Sequence, residues 1–172
     1  MKFLVLILFL IAYSINAKET FSSIYTTISK DCKSEKEENV PEGSDVPLNC
    51  KGPNGYTVTI SYSACMEFMQ ILSKDGKETI ELPNQPIGSA DSRKLEWRLL
   101  GKKPVAIIYR TSVLKDTPND NCPQQKTGKE TLEIRGLGKY LELNKSIPSE
   151  KKANEKSREI SDSYIQKLSV KK

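Results

Sequence analysis

The stretch KLEWRLLGKKPVAIIYRT, residues 94–111, decides the fold. Leu95, Trp97 and Leu99 alternate with Glu96 and Arg98. Successive side chains of a strand point to opposite faces, so this pattern predicts a strand with Trp97, the only tryptophan, turned toward a core. GKKP then turns the chain. VAIIYRTSV, residues 105–113, is apolar on both faces and reads as a central strand. If the two strands pair antiparallel, Glu96, Arg98 and Arg110 meet on one surface, opposite Trp97 and on the wetter side. The simpler reading of that surface is a cross-strand charge ladder, contributing roughly 0.2–1 kcal/mol per pair. The sharper reading makes Glu96, Arg98 and Arg110 the candidate binding residues of an anion- or partner-binding face on rigid strands.

Strand patterns recur on both sides of this stretch. In YTVTISY, residues 56–62, Tyr56, Val58, Ile60 and Tyr62 share one face and Thr57, Thr59 and Ser61 the other. CMEFMQIL (65–72) and TIEL (79–82) read as further strands, separated by a turn at Asp75-Gly76. TLEIRGLGKYLEL (131–143) predicts a hairpin turning at Gly136 or Gly138, and KDTPNDNCPQQKTGK (115–129) a long polar loop. FSSIYTTIS (21–29) has Phe21, Ile24, Tyr25 and Ile28 at helical spacing and is expected as a short helix or turn, with a strand as the alternative. SEKKANEKSREISDSYIQKL (149–168) predicts a helix, capped by Ser149, with Glu150 suited to the positive end of the dipole. Ala153, Ile160, Tyr164 and Leu168 form its narrow apolar stripe, so it should lie on a sheet rather than within the core. The expected class is α+β: a mainly antiparallel sheet, flat or curled into a half-barrel, with the C-terminal helix packed on one face.

The N-terminus, MKFLVLILFLIAYSINA (1–17), has a basic Lys2 and an apolar run from Phe3 to Tyr13. This is the pattern of a signal peptide, and the run is short for a membrane span. Cleavage after Ala17 leaves a mature chain starting at Lys18; cleavage after Ser14 is the alternative. Residues 18–172 then form a single disulfide-containing domain, exported to a periplasm or secreted. The chain carries 27 lysines and arginines against 22 aspartates and glutamates, a net charge of +5. Solvated lysines account for such a mild excess. Attraction to anionic surfaces, helped by the terminal QKLSVKK, is the alternative.

Four cysteines, Cys32, Cys50, Cys65 and Cys122, read as disulfides in an exported chain. Three connectivities are open. Cys32–Cys50 with Cys65–Cys122 is favoured, because the polar 33–49 segment has little apolar content to hold it. Closing a loop of that length contributes roughly 3 kcal/mol on the chain-entropy model. Zinc is the competing reading, but no CxxC pair and no histidine occur, and no metal site is expected.

The absence of histidine removes Ser-His-Asp and Cys-His catalysis. No GxSxG, phosphate-binding loop or EF-hand spacing occurs, so no cofactor is expected. Glu67, Glu81, Glu96 and Glu133 sit in expected strands, where a pair across a cleft could hydrolyse a glycan. Strand glutamates alternating with apolar residues ordinarily face solvent, so no catalytic residue is assigned. NKS, residues 144–146, matches a glycosylation sequon, which matters only in a eukaryotic secretory pathway. The expectation is a non-enzymatic binding or inhibitor protein with a protein or glycan partner and no nucleic acid. The alternatives are a carboxylate-based hydrolase of cell-wall or glycan material, and an envelope protein touching anionic surfaces.

The segments IYTTISKDC, CKGPNGYTVTIS, LEWRLLGKKPVAIIYR and LEIRGLGKYLELNKSIPSEKKANEKSREISDSY, in this order, resemble a family of small exported bacterial proteins with no assigned activity. Together they touch most of residues 18–172, and LEWR followed by Pro104 and Arg110 is the most specific piece. Cys32 and Cys50 have counterparts in that family, so the resemblance implies export and one shared disulfide. The family's other cysteines fall elsewhere, one of them near Tyr140, where this chain has Cys65 and Cys122 instead. The resemblance implies no catalytic residue and no substrate.

Overall fold

The computed structural model describes residues 19–42, 44–87, 93–116, 118, 122 and 124–169. The expected signal peptide and the cleavage sites at Ser14 and Ala17 lie outside these. In chain order the strands are β1 (Phe21–Thr27), β2 (Cys32–Ser34), β3 (Leu48–Lys51), β4 (Thr57–Ser63), β5 (Met66–Leu72), β6 (Thr79–Glu81), β7 (Gln85–Pro86), β8 (Lys94–Leu100), β9 (Lys103–Asp116), β10 (Gln124–Gly136) and β11 (Asn144–Pro148). The helices are α1 (Ile28–Asp31) and α2 (Ala153–Ser169). Every pairing between strands is antiparallel. The α+β class holds: a mainly antiparallel β protein with one long C-terminal helix.

There are two sheets rather than one, and neither closes into a barrel. The first has the order β1-β8-β9-β10-β11, the second β2-β3-β4-β5-β6 with β7 beside β5. A shared core joins them, built from Val58, Ile60, Met69 and Ile71 of the second sheet and Leu95, Trp97, Ile107 and Tyr109 of the first. The other face of the first sheet carries a separate core of Ala106, Ile108, Leu132 and Ile134 under Ala153 and Ile165 of α2. The strand β9 is therefore apolar on both faces because it is covered on both, by a sheet and by a helix.

Trp97 is fully buried, and its indole Nε1 donates to Thr26 Oγ1 at 2.9 Å. The Tyr56 ring lies 5.7 Å away. Backbone at Gly52 presses on the indole so closely that a Cβ there would lie 2.6 Å from Trp97. Glycine is thus required at position 52 by space. Cys32 and Cys50 are directly opposite across β2 and β3 and are bonded. Cys65, between β4 and β5, bonds Cys122, between β9 and β10, so the second disulfide ties the two sheets together. Both favoured pairings are present. Among the described residues no helix is long and apolar enough to cross a membrane.

Four expectations need correction. Residues 21–27 form β1, not a helix or turn: the segment pairs with β8 along its whole length. Its apolar spacing misled because the strand serves two faces, Phe21 packing under α2 while Ile28 just beyond it enters the core between the sheets. The 115–129 segment is largely strand, since β9 runs to Asp116 and β10 starts at Gln124. These arms extend past the core, so their side chains stay polar. The return strand β11 begins only at Asn144, after a short helical turn at Gly138–Tyr140, so the turn of the 131–143 hairpin is wider than expected. Finally, α2 starts at Ala153, and the Ser149 hydroxyl accepts from Arg110 instead of capping it. The helix does lie on the sheet, but the line it buries is Ala153, Ser157, Ser161 and Ile165, with Ile160, Tyr164 and Leu168 flanking. Small serines let the helix approach the strands closely.

Candidate functional site

Glu96, Arg98 and Arg110 do share the face of the first sheet opposite Trp97, since alternation along a strand requires it. That face is not wet. Helix α2 lies over it, and Glu96 and Arg98 are each only 6% exposed. A buried charge is costly unless paired, and both are paired with the helix. Arg98 donates from Nη2 to Asp162 Oδ2 at 2.5 Å and from Nε to Oδ1 at 3.1 Å. Arg158, one helical turn earlier, donates from Nε to Glu96 Oε1 at 2.7 Å and from Nη2 to Oε2 at 3.2 Å. The Ser23 hydroxyl of β1 joins the two pairs, accepting from Arg98 at 2.6 Å and donating to Glu96 at 2.5 Å. Alternating charges on strand positions two apart thus meet alternating charges on helix positions four apart. The Glu96 carboxylate also holds the Arg158 guanidinium above its usual pKa range, chiefly through their hydrogen bonds.

Beyond the helix start, this face opens into a groove of about 570 Å³. Its cations are Arg93, Lys94, Arg110, Lys126, Lys129 and Arg158; its carboxylates are Glu96 and Glu130. The buried Ile108 and Leu132 form its apolar floor, and the half-exposed Tyr25 lies at its edge. Arg110 bonds Glu130 at 3.1 Å, the Ser149 hydroxyl, and Asn154 Oδ1 at 3.3 Å, fixing the guanidinium beside the first turn of α2. Arg93 is oriented by neutral acceptors only: Gln85 Oε1, the Arg110 carbonyl and Ser112 Oγ at 2.8–3.1 Å. Lys94, Lys126 and Lys129 have no carboxylate partner among the described residues. The last two flank a bulge, where β10 carries extra residues between Lys126 and Glu130 and Gly128 takes a left-handed φ of +81°. That bulge lifts both lysines toward the groove.

Of the three candidate binding residues, Glu96 and Arg110 line the groove, while Arg98 is buried beneath α2 and does not. Among the candidate carboxylates, Glu81 is exposed, whereas Glu67 of β5 and Glu133 of β10 are buried between the two sheets. Glu133 accepts from Thr131, Ser146 and Arg135 at 2.7–3.0 Å. Glu67 lies near the phenol of Tyr109, which burial pushes up to about 12, with Arg93 opposing. Arg93, Lys94, Lys126, Lys129 and Arg158 were not singled out from the sequence. For Lys94 the signal was present, since it alternates in phase with Glu96; for Lys126 and Lys129 the bulge hid it.

The chain is thus a two-sheet α+β protein with two disulfides and a basic groove between one sheet and its C-terminal helix. No protein-family model, curated protein or solved structure matches it.

Proposed function

We propose that this is an exported, non-enzymatic binding protein, and that the basic groove is where it holds an acidic partner. One observation carries the reading: six cationic side chains face a single cavity against two carboxylates. The walls are strands and a docked helix, and Arg93, Arg110 and Arg158 are held by hydrogen bonds before binding, so little ordering entropy is lost there. Export is supported by the signal-like residues 1–17, by two disulfides, and by the resemblance to small exported bacterial proteins. A carboxylate-based hydrolase remains the alternative. Each groove carboxylate is paired with an arginine, Glu96 with Arg158 and Glu130 with Arg110, which favours binding over that chemistry.

Retention on phosphocellulose under a rising salt gradient tests the groove. Lys126→Gln/Lys129→Gln should elute at clearly lower salt than the wild type. Lys30→Gln/Lys33→Gln removes the same charge from residues outside the groove and should shift elution far less. Equal shifts for the two variants would mean that only net charge matters, and would reject the groove as the site. Intact mass of the exported product should place its first residue at Lys18.

A further inference from the structure

We infer that the ligand of this groove is a sugar-sized molecule carrying two phosphate monoesters; the inference rests on the binding reading above. Charge and volume together select it. Two of the six cations, Arg110 and Arg158, are already paired with carboxylates inside the groove. Among the described residues four have no carboxylate partner: Arg93, Lys94, Lys126 and Lys129. A phosphate monoester carries about −1.5 to −2 at pH 7, so two of them balance these four charges. One inorganic phosphate would leave half of them uncompensated. Sulfate esters, with a single charge each, would have to be twice as numerous.

Position supports the same ligand. Arg93 and Lys94 stand at the N-terminal end of β8, and Lys126 and Lys129 on the β10 bulge, so the unpaired charges are supplied from both sides of β9. The half-exposed Tyr25 supplies carbon surface for a ring, over a floor formed by the buried Ile108 and Leu132 of the neighbouring strands β9 and β10. A cavity of about 570 Å³ exceeds what one oxyanion needs and falls within the range of small-molecule sites. Lysines bind phosphate as mobile point charges, and Arg93, held by Gln85, the Arg110 carbonyl and Ser112 beside the Tyr109 ring, adds a fixed positive charge.

The pH dependence separates phosphate from other anions. The chain has no histidine, so no imidazole changes charge between about pH 5 and 8. The groups facing the ligand are Arg93, Lys94, Lys126 and Lys129, the ion-paired Arg110, Glu130, Arg158 and Glu96, and the Tyr25 phenol. A phosphate monoester loses its second charge as pH falls through about 6, so affinity should weaken there. A sulfated ligand should bind evenly across the same interval.

Isothermal titration of the full protein with fructose 1,6-bisphosphate, glucose 6-phosphate, inorganic phosphate and a sulfated heparin oligosaccharide tests the inference. The bisphosphate should bind at least about tenfold more tightly than either monophosphate, because a second phosphate engages the second pair of cations. The preference should collapse in Lys126→Gln/Lys129→Gln and survive in Lys30→Gln/Lys33→Gln. Equal binding of bisphosphate and monophosphate would overturn the inference. So would groove-dependent binding of the heparin oligosaccharide in preference to the bisphosphate; either result would leave the groove standing as an anion site. Should the two double variants behave alike with every probe, the groove reading itself fails. Phosphatidylcholine vesicles containing phosphatidylinositol bisphosphate decide the source. Sedimentation with these vesicles, competed by the soluble bisphosphate, points to a lipid headgroup; binding of the soluble probe alone points to a free ligand.

Discussion

Arg98 of β8 and Asp162 of α2 are joined by two parallel hydrogen bonds, Nη2 to Oδ2 at 2.5 Å and Nε to Oδ1 at 3.1 Å, beneath the helix. The pair fixes where the helix rests along the strand. Together with Arg158 and Glu96 it gives the contact a unique register, because sliding the helix by one turn would place Arg158 against Arg98. The helix in turn brings Asn154 and Arg158 to the rim of the groove. A residue that resembled a surface charge therefore positions the site without lining it.

Arg98→Ala should destabilise the protein by roughly 3–5 kcal/mol, since it leaves Asp162 without its guanidinium under the helix. Had Arg98 belonged to an exposed ladder, the cost would stay below about 1 kcal/mol. Urea denaturation separates the two. Replacing both partners, Arg98→Met with Asp162→Leu, should restore most of the stability, because no buried charge is then left alone.

Trp97→Ala should cost roughly 3–5 kcal/mol, as truncation of a buried aromatic does. Gly52→Ala should cost roughly 1–3 kcal/mol by overpacking the same indole, although its backbone dihedrals suit any residue. Urea midpoints measure both, and a red-shifted tryptophan emission in Gly52→Ala would report loosening around the ring. A neutral Gly52→Ala would show that the indole has room to move.

Removing Cys32–Cys50 by paired serine substitution should cost roughly 3 kcal/mol, and removing Cys65–Cys122 roughly 4 kcal/mol, on the chain-entropy model. The difference follows from sequence separations of 18 and 57 residues. Thermal melts of the two variants rank them. Peptide mapping without reductant should recover these two links, and a Cys50–Cys65 link would contradict the fold.

Alkaline titration should show delayed tyrosine ionisation. Burial holds the Tyr109 phenol at about 12, and burial with the adjacent Glu78 raises Tyr56 as well. In the unfolded chain a tyrosine ionises near pH 10. Between about pH 10 and 12 the unfolded state therefore binds fewer protons than the folded one, so stability is intact below this window and falls within it. Tyr109 contributes at most roughly 2–3 kcal/mol of that loss. Near-ultraviolet tyrosinate absorbance and urea midpoints across the window should move together, and Tyr109→Phe should lessen the loss of stability while leaving the part due to Tyr56.

Local pattern sufficed where one strand's own geometry settles the question. Alternation placed Trp97 inward and put Glu96, Arg98 and Arg110 together on the opposite face, because a strand leaves no other arrangement. The polar 33–49 segment pointed to the Cys32–Cys50 clamp, and the unpaired remainder to Cys65–Cys122. Alternation says which residues share a face but not what covers it. Whether Glu96 and Arg98 met water or α2 depended on the helix docking across more than 60 residues of intervening chain. The same holds for the groove. Lys126 and Lys129 reach Arg93 and Lys94 only through the pairing of β8, β9 and β10 and a bulge that no period-two pattern reveals. By itself the sequence determined the sidedness of strands with clean alternation, such as β4 and β8, which is local sterics. The tertiary structure alone decided burial, charge pairing and the basic cavity, because these arise from contacts between segments distant along the chain.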